Sequence, residues 1–376
     1  MAHKFDTLAV HAGAEPDPAT GAVAPPIQLS TTFVHDTSGR AAAYSYQRQD
    51  NPTQHRLETA LAALEGGQRA LAFASGMAAV AAVLDTLQRG QRVLVPEDCY
   101  VGTRGYLNEV LPERGIEVVT VDTTDLDAVR AASAGGIALL WAESPSNPRM
   151  RISDLAELAQ IAHAQGARFA CDNTFATPVL QRPLQIGADL VMHSTTKYFG
   201  GHSDVLGGAL VFAKNDDFAA RIAQRRLLTG AILAPFSAWL TLRGCRSLPA
   251  RLALHCANAR KVAGFLAGHP AVACVNYPGL AGHPGHAVAA RQMRDFGAML
   301  SFELRGGYDA AVAVARGTRI FTNATSLGGC ESLIEHRASA EGEHTQAPPA
   351  LVRVSVGLED ADDLVEDLRQ ALACSS

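Results

Sequence analysis

Between Ala70 and Ala213 short apolar runs alternate with helical stretches, an order that fits a mostly parallel sheet covered by helices. Ala70–Ala74, Arg92–Val95, Glu117–Asp122, Gly135–Glu143, Arg168–Cys171, Leu190–His193 and Ala209–Ala213 read as strands. Met77–Gln88 and Leu155–Gln165 read as helices. Gly135–Glu143 is apolar almost throughout, as expected of a strand buried on both faces. A helix precedes the series. Asn51 is its cap, Pro52 its first residue, Leu57, Leu61 and Leu64 its apolar stripe, and Gly66-Gly67 its stop.

The two flanks read differently. Ala22–Ile27 and Leu29–Phe33 are broken by prolines and polar residues, so the N-terminal segment reads as an extended arm of the kind that reaches a neighbouring subunit. Beyond about residue 235 helices lengthen and strands thin out. Ala250–Leu266 reads as a helix, and Met299–Leu304 and Leu351–Val356 alternate as strands do. Asp362–Ala373 carries Leu364, Leu368 and Leu372 on one face. The expected organisation is an arm over 1–47, an α/β domain over 48–245 and a smaller α/β domain over 246–376.

Composition narrows the function. The 376 residues carry 32 Lys and Arg against 37 Asp and Glu, spread without basic clusters. Neither nucleic acid nor an anionic lipid surface is an expected partner. No apolar run is long enough to span a bilayer, and the start, MAHKFDTLAVHAG, lacks the apolar stretch of a secretory signal, so the expected location is the cytoplasm. The seven cysteines form no CxxC pair. GxGxxG, P-loop, GxSxG and HExxH signatures are absent. His283-Pro284-Gly285-His286 reads as a turn, and no metal is expected.

Three segments lie where strands end, the edge at which open parallel sheets bind ligands. Ala74-Ser75-Gly76-Met77 joins a strand to a helix N-terminus, which is an ordinary turn or an anion site. Asp172, closing an apolar strand, is a cap or a carboxylate facing a cationic ring nitrogen. Lys197 follows a buried strand among Ser194, Thr195 and Thr196. It is a solvated loop lysine or a desolvated amine suited to Schiff-base chemistry. Taken together, a phosphate cup, a carboxylate and a lysine on successive strand ends fit pyridoxal 5'-phosphate.

With those residues in place the chain resembles the pyridoxal-phosphate enzymes of cysteine and methionine metabolism: the cystathionine γ-synthase, cystathionine γ-lyase, cystathionine β-lyase and methionine γ-lyase group. The likeness rests on Tyr46-Gln47-Arg48, Asn51-Pro52-Thr53, Ser75-Gly76-Met77, Glu143-Ser144-Pro145-Ser146-Asn147-Pro148 and Asp172-Asn173-Thr174. It continues through Ser194-Thr195-Thr196-Lys197-Tyr198, Gly201-His202-Ser203-Asp204, Ser326-Leu327-Gly328-Gly329 and Arg353-Val354-Ser355-Val356-Gly357.

The resemblance implies the type I fold of these transferases, an α/β architecture with a smaller C-terminal domain, and it implies roles. Lys197 would bond the cofactor's aldehyde carbon and later shuttle protons. Asp172 would pair with the ring nitrogen, Asn147 would contact the ring hydroxyl, and Tyr100 would stack on the ring. The amides of Gly76 and Met77, with Ser194 and Thr196, would hold the phosphate. Tyr46 and Arg48 would reach the phosphate of a neighbouring subunit, which calls for a homo-oligomer, dimer or tetramer. Arg353 would fork onto the substrate α-carboxylate, and Ser326 would orient Lys197 or that carboxylate. The implied activity is γ-elimination or γ-replacement on sulfur amino acids, with β-elimination or methionine cleavage as alternatives.

Four departures fall on the substrate side. Thr325 stands where many relatives have Glu, Gly105 where an Arg is usual, and Gln49 where some synthases have a second Arg. After Glu335-His336 the usual Pro-Ala-x-Met-Thr-His is replaced by Arg337-Ala338-Ser339-Ala340-Glu341-Gly342, and the segment leading to Arg353 looks short.

Overall fold

Every strand expected between Ala70 and Ala213 forms in the computed structural model, which describes residues 3–40 and 43–373. They are β1 (Arg69–Phe73), β2 (Arg92–Pro96), β3 (Glu117–Val121), β4 (Leu139–Glu143), β5 (Arg168–Asp172), β6 (Leu190–His193) and β7 (Gly208–Phe212). All seven join one sheet in the order β1-β7-β6-β5-β4-β2-β3. The run β6-β5-β4-β2-β3 is parallel, while β7 is antiparallel to both β6 and β1. The sheet is therefore mixed. Because β7 reverses between them, β1 runs in the same direction as β6, and their carboxyl ends share one edge.

Side chains alternate across this sheet with period two. Leu139 and Trp141 of β4 enter one core with the helices Gly76–Leu84 and Asp217–Thr229. Leu140 and Ala142 enter another, with Leu126–Ser133 and Leu155–Ala164. Burial on both faces is why β4 reads as a continuous apolar run; all five of its residues are buried. Its expected start at Gly135 is taken by a turn, with Gly136 at φ +77°.

The helix Pro52–Glu65 is capped as its sequence requires. Asn51 Oδ1 accepts from the Thr53 amide at 2.9 Å, and Gly66 closes it at φ +76°. Within the N-terminal segment the structure adds a helix, Phe5–His11, whose Phe5 and Ala9 reach the core. Seven residues give only two turns, too short for a visible period. The helices Asp217–Thr229 and Pro235–Cys245 were likewise not read from the sequence.

A second sheet follows, made of β8 (Val272–Asn276), β9 (Met299–Leu304), β10 (Thr322–Asn323), β11 (Leu333–His336) and β12 (Leu351–Ser355). Its order is β10-β11-β12-β9-β8. The helices Leu248–Ala267 and Ala361–Ala373 pack beside it, and Leu364, Leu368 and Leu372 are fully buried. One core continues from Leu57 and Leu61, through Phe199 and Leu252, to Leu300 and Val354. The two sheets are thereby held as one body.

Two glycines separate packing from propensity. A Cβ on Gly208 of β7 would lie 2.2 Å from the carbonyl oxygen of Ser75, whereas one on Gly264, in the helix Leu248–Ala267, meets nothing within 4 Å. Gly208→Ala is expected to lower stability by about 1–3 kcal/mol through overpacking. Gly264→Ala is expected to raise it by roughly 0.5–1 kcal/mol through helix propensity. Thermal unfolding of both variants checks the opposite signs.

Candidate active site

The carboxyl ends of β1, β2, β4, β5 and β6 open into a cavity of about 390 Å³. Its wall brings together Ser75, Gly76 and Met77 after β1, Tyr100 after β2 and Asn147 after β4. Asp172 ends β5, and Ser194, Thr196 and Lys197 follow β6. The second sheet contributes Thr325, Ser326 and Arg353 to the same wall.

Lys197 sits in a tight turn after β6, where the amides of Gly200 and Gly201 donate to the carbonyls of Thr195 and Lys197. The loop 326–329 is pressed against that turn. A Cβ on Gly328, at φ +77°, would fall 2.7 Å from the Tyr198 nitrogen, so the approach needs glycine. The result is a hydrogen bond from Lys197 Nζ to Ser326 Oγ at 2.8 Å. Burial, reinforced by the nearby Arg353 guanidinium, pushes the lysine's pKa down to about 8. Ser326 is held at φ +94°, a conformation that side chains rarely adopt and that concentrates at functional sites.

Ser326 touches both Lys197 and Arg353. Its hydroxyl meets Lys197 and its carbonyl accepts from Arg353 Nη2 at 3.2 Å. Arg353 also donates to Asn147 Oδ1 at 3.1 Å and to Glu335 Oε2 at 2.8 Å. Burial pushes its pKa down to about 10, and the neighbouring Arg337 adds to the shift. Asn147 thus uses its carbonyl oxygen on Arg353, leaving its amide N–H groups for another acceptor.

Asp172 lies on β5 directly across from Glu143 on β4. Asp172 Oδ1 accepts from the Thr174 amide at 2.9 Å, and Glu143 Oε2 accepts from the Tyr100 amide at 2.9 Å. Burial raises both pKa values, Glu143 well above the ordinary range with Asp172 as a further cause. A buried carboxyl in this position is poised for a cation.

At the end of the cavity expected to hold a phosphate, Ser75 caps the helix Gly76–Leu84, its Oγ accepting from the Ala78 amide at 3.1 Å. A Cβ on Gly76 would lie 3.1 Å from Ser194 Oγ, so the missing side chain leaves that hydroxyl beside the helix start. Thr196 Oγ1 is engaged with Gly207, donating to its carbonyl at 3.1 Å and accepting from its amide at 3.0 Å.

Tyr46 and Arg48 stand apart from this cavity. Both are exposed, their side chains lie against each other, and Arg48 Nη1 donates to the Leu227 carbonyl at 3.1 Å. Thr325 is exposed at the cavity wall, where a specificity residue would be expected. His283 and His286 are turned to the backbone: Nδ1 of His283 accepts from the Gly285 amide, and Nδ1 of His286 lies 2.8 Å from the Pro278 carbonyl.

Four charged wall residues were not singled out as site residues from the sequence: Glu143, Glu335, Arg337 and Glu341. Glu335 is paired across the strands with Arg353. A charged pair on β11 and β12 is the signal that would have found it. Arg337 and Glu341, four apart, occupy the segment that departs from the resemblance.

The residues present fit pyridoxal phosphate. A desolvated carboxyl, a capped helix start beside a serine hydroxyl, and a buried amine line one cavity. Among the described residues no group of three or more metal-binding side chains occurs, and no helix is long and apolar enough to cross a membrane.

Comparison with known proteins agrees. Residues 6–373 match the family described as Cys/Met metabolism PLP-dependent enzyme. The chain is 48% identical to the cystathionine gamma-synthase of Mycobacterium tuberculosis, over 97% of this chain and 96% of that one. It is 44% identical to the cystathionine beta-lyase of Coxiella burnetii, over 98% and 97%. The crystal structure of cystathionine gamma synthase from Xanthomonas oryzae pv. oryzae in complex with cystathionine superposes with a TM-score of 0.97 at 44% identity, covering 100% of this chain and 99% of that one. Sequence, fold and cavity thus agree, and the chain belongs to the pyridoxal-phosphate-dependent enzymes of cysteine and methionine metabolism.

Proposed function

We propose that this enzyme makes or breaks the bond between sulfur and the γ-carbon of an amino acid, as cystathionine γ-synthases and γ-lyases do. The observation that supports it best is the hydrogen-bonded line Lys197–Ser326–Arg353, which places an amine of lowered pKa beside an α-carboxylate anchor. When bound, pyridoxal phosphate supplies an electron sink that acidifies the protons next to an amino acid's nitrogen-bearing carbon. Asp172 would face its ring nitrogen and keep that sink charged. Asn147 and Ser326 fix Arg353, so the substrate enters in one orientation. Lys197, neutral in a large fraction near pH 8, takes a proton from the α-carbon and returns it further along the chain. Tyr100, half exposed at the cavity, would cover the ring face.

Tyr46 and Arg48 are assigned to the phosphate of a second copy of the chain, so the working unit is at least a dimer in the cytoplasm. The exposure of both residues away from their own cavity supports this assignment.

The deciding measurement is a set of steady-state rates with cystathionine, methionine, cysteine, and an O-acylhomoserine plus cysteine, with products identified. Cysteine and 2-oxobutyrate from cystathionine, or cystathionine from the ester, agree with γ-chemistry. Homocysteine and pyruvate from cystathionine would establish β-elimination instead.

Lys197→Ala is expected to abolish turnover and borohydride trapping of the cofactor. In the unmodified protein, cofactor capture by the apoprotein should speed up about tenfold per pH unit and level off above about pH 8, because only the neutral amine attacks. Arg353 helps to lower that pKa, so Arg353→Met should move the midpoint to higher pH. Stopped-flow absorbance follows both.

Arg48→Ala should weaken cofactor binding. Mixed with Lys197→Ala protein under subunit exchange, it should regain activity, since a hybrid dimer has one site with both lesions and one with neither. Inactive, verified hybrids would remove the shared-site assignment.

Thr325→Glu should raise kcat/KM for cystathionine over methionine, because a carboxylate there meets the distal ammonium. Exposure limits the gain to about 1 kcal/mol, roughly fivefold. Paired kinetics at full cofactor occupancy read the ratio.

A further inference from the structure

Five charged side chains alternate in sign along the cavity wall and away from it. Arg353 donates to Glu335 Oε2 at 2.8 Å, and Arg337 Nη1 donates to the same oxygen at 2.6 Å. Arg337 Nη2 reaches Glu341 Oε1 at 2.5 Å, and Arg104 reaches Glu341 Oε2 at 3.2 Å. The side chains of Arg353, Glu335, Arg337 and Glu341 are 3–7% exposed, and that of Arg104 is 12% exposed. Thr345 Oγ1 also donates to Glu341, which keeps this carboxylate ionised together with Arg337 and Arg104.

Within the row Glu335 is shared between two guanidinium groups, so it does not neutralise Arg353 alone. An isolated Arg353–Glu335 pair would be neutral and would have little left to attract an anion. One more negative charge beside Arg353 completes the alternation, and the substrate α-carboxylate is that charge. Buried ions that lose a partner are costly, so the row favours an occupant that closes it.

We propose that Arg337 is a positioning residue for substrate recognition: by sharing Glu335 with Arg353, and being braced by Glu341 and Arg104, it keeps Arg353 free to hold the α-carboxylate of an amino acid. This rests on Arg353 being the carboxylate anchor of the proposed function. Arg337 need not touch the substrate. Its work is to spend the charge of Glu335 that would otherwise cancel Arg353.

The test uses the holoenzyme and two unreactive ligands, norleucine and pentylamine, which is norleucine without its carboxylate. Each dissociation constant is read from the change in the cofactor's visible band. Arg337→Met should weaken norleucine about tenfold and leave pentylamine within about twofold, and Arg337→Lys should recover most of the loss. Adding Glu335→Gln to Arg337→Met removes the uncompensated charge and should return norleucine to within about threefold of the unmodified enzyme. A packing defect would not be mended by that second change. Equal weakening of both ligands, or a double variant no better than Arg337→Met, would overturn the proposal. No band change with norleucine in the unmodified holoenzyme would overturn the anchor reading beneath it as well.

Discussion

The hydrogen bond between Lys197 and Ser326, with that between Arg353 and Asn147 beside it, ties the second sheet to the strand ends of the first. Everything chemical in the cavity is arranged around it. On one side the parallel strand ends deliver Asp172, Asn147 and the helix start at Gly76. On the other, β11 and β12 deliver Glu335 and Arg353. The bond is possible because the loop 326–329 lies against the backbone of Tyr198, which only a glycine at 328 allows. The positive φ of Ser326 belongs to the same closure. A strained residue is tolerated there because the continuous core beneath holds both sheets in place.

Electrostatics then divide the cavity. Toward Asp172 and Glu143, burial favours the neutral acids until a cation arrives. Toward Arg353, burial is offset by alternating partners. The lysine between them feels both burial and the arginines, and its pKa falls to about 8. These opposite surroundings within one cavity distinguish the end suited to a protonated ring from the end suited to a carboxylate.

Much of this could be read from the residues. Strands buried on both faces announce themselves as apolar runs, and β4 did so. The Asn51-Pro52 start and the Gly66 stop are local chemistry and were legible for that reason. Lys197 stood out because a lysine directly after a buried strand calls for an explanation. The arginine row was not legible as a whole: Glu335, Arg337 and Glu341 are near one another in sequence, but Arg104 and Arg353 join them only through the fold. The strand β11, four residues with two ionisable side chains, lacks the apolar signal its burial would suggest, since Glu335 meets partners inside the protein. The short helix Phe5–His11 and the helices Asp217–Thr229 and Pro235–Cys245 depend on tertiary contacts more than on their own periodicity.

The depth of the arginine row sets how the protein meets ionic strength. Charges that are nearly inaccessible to solvent are only weakly screened by dissolved ions, whereas exposed ones lose much of their reach within about 10 Å at ordinary salt. On the role proposed for Arg353, recognition of the amino-acid head would therefore persist in concentrated salt. Added salt would act first on exposed surface pairs such as Arg130 with Asp127, and last on this inner row.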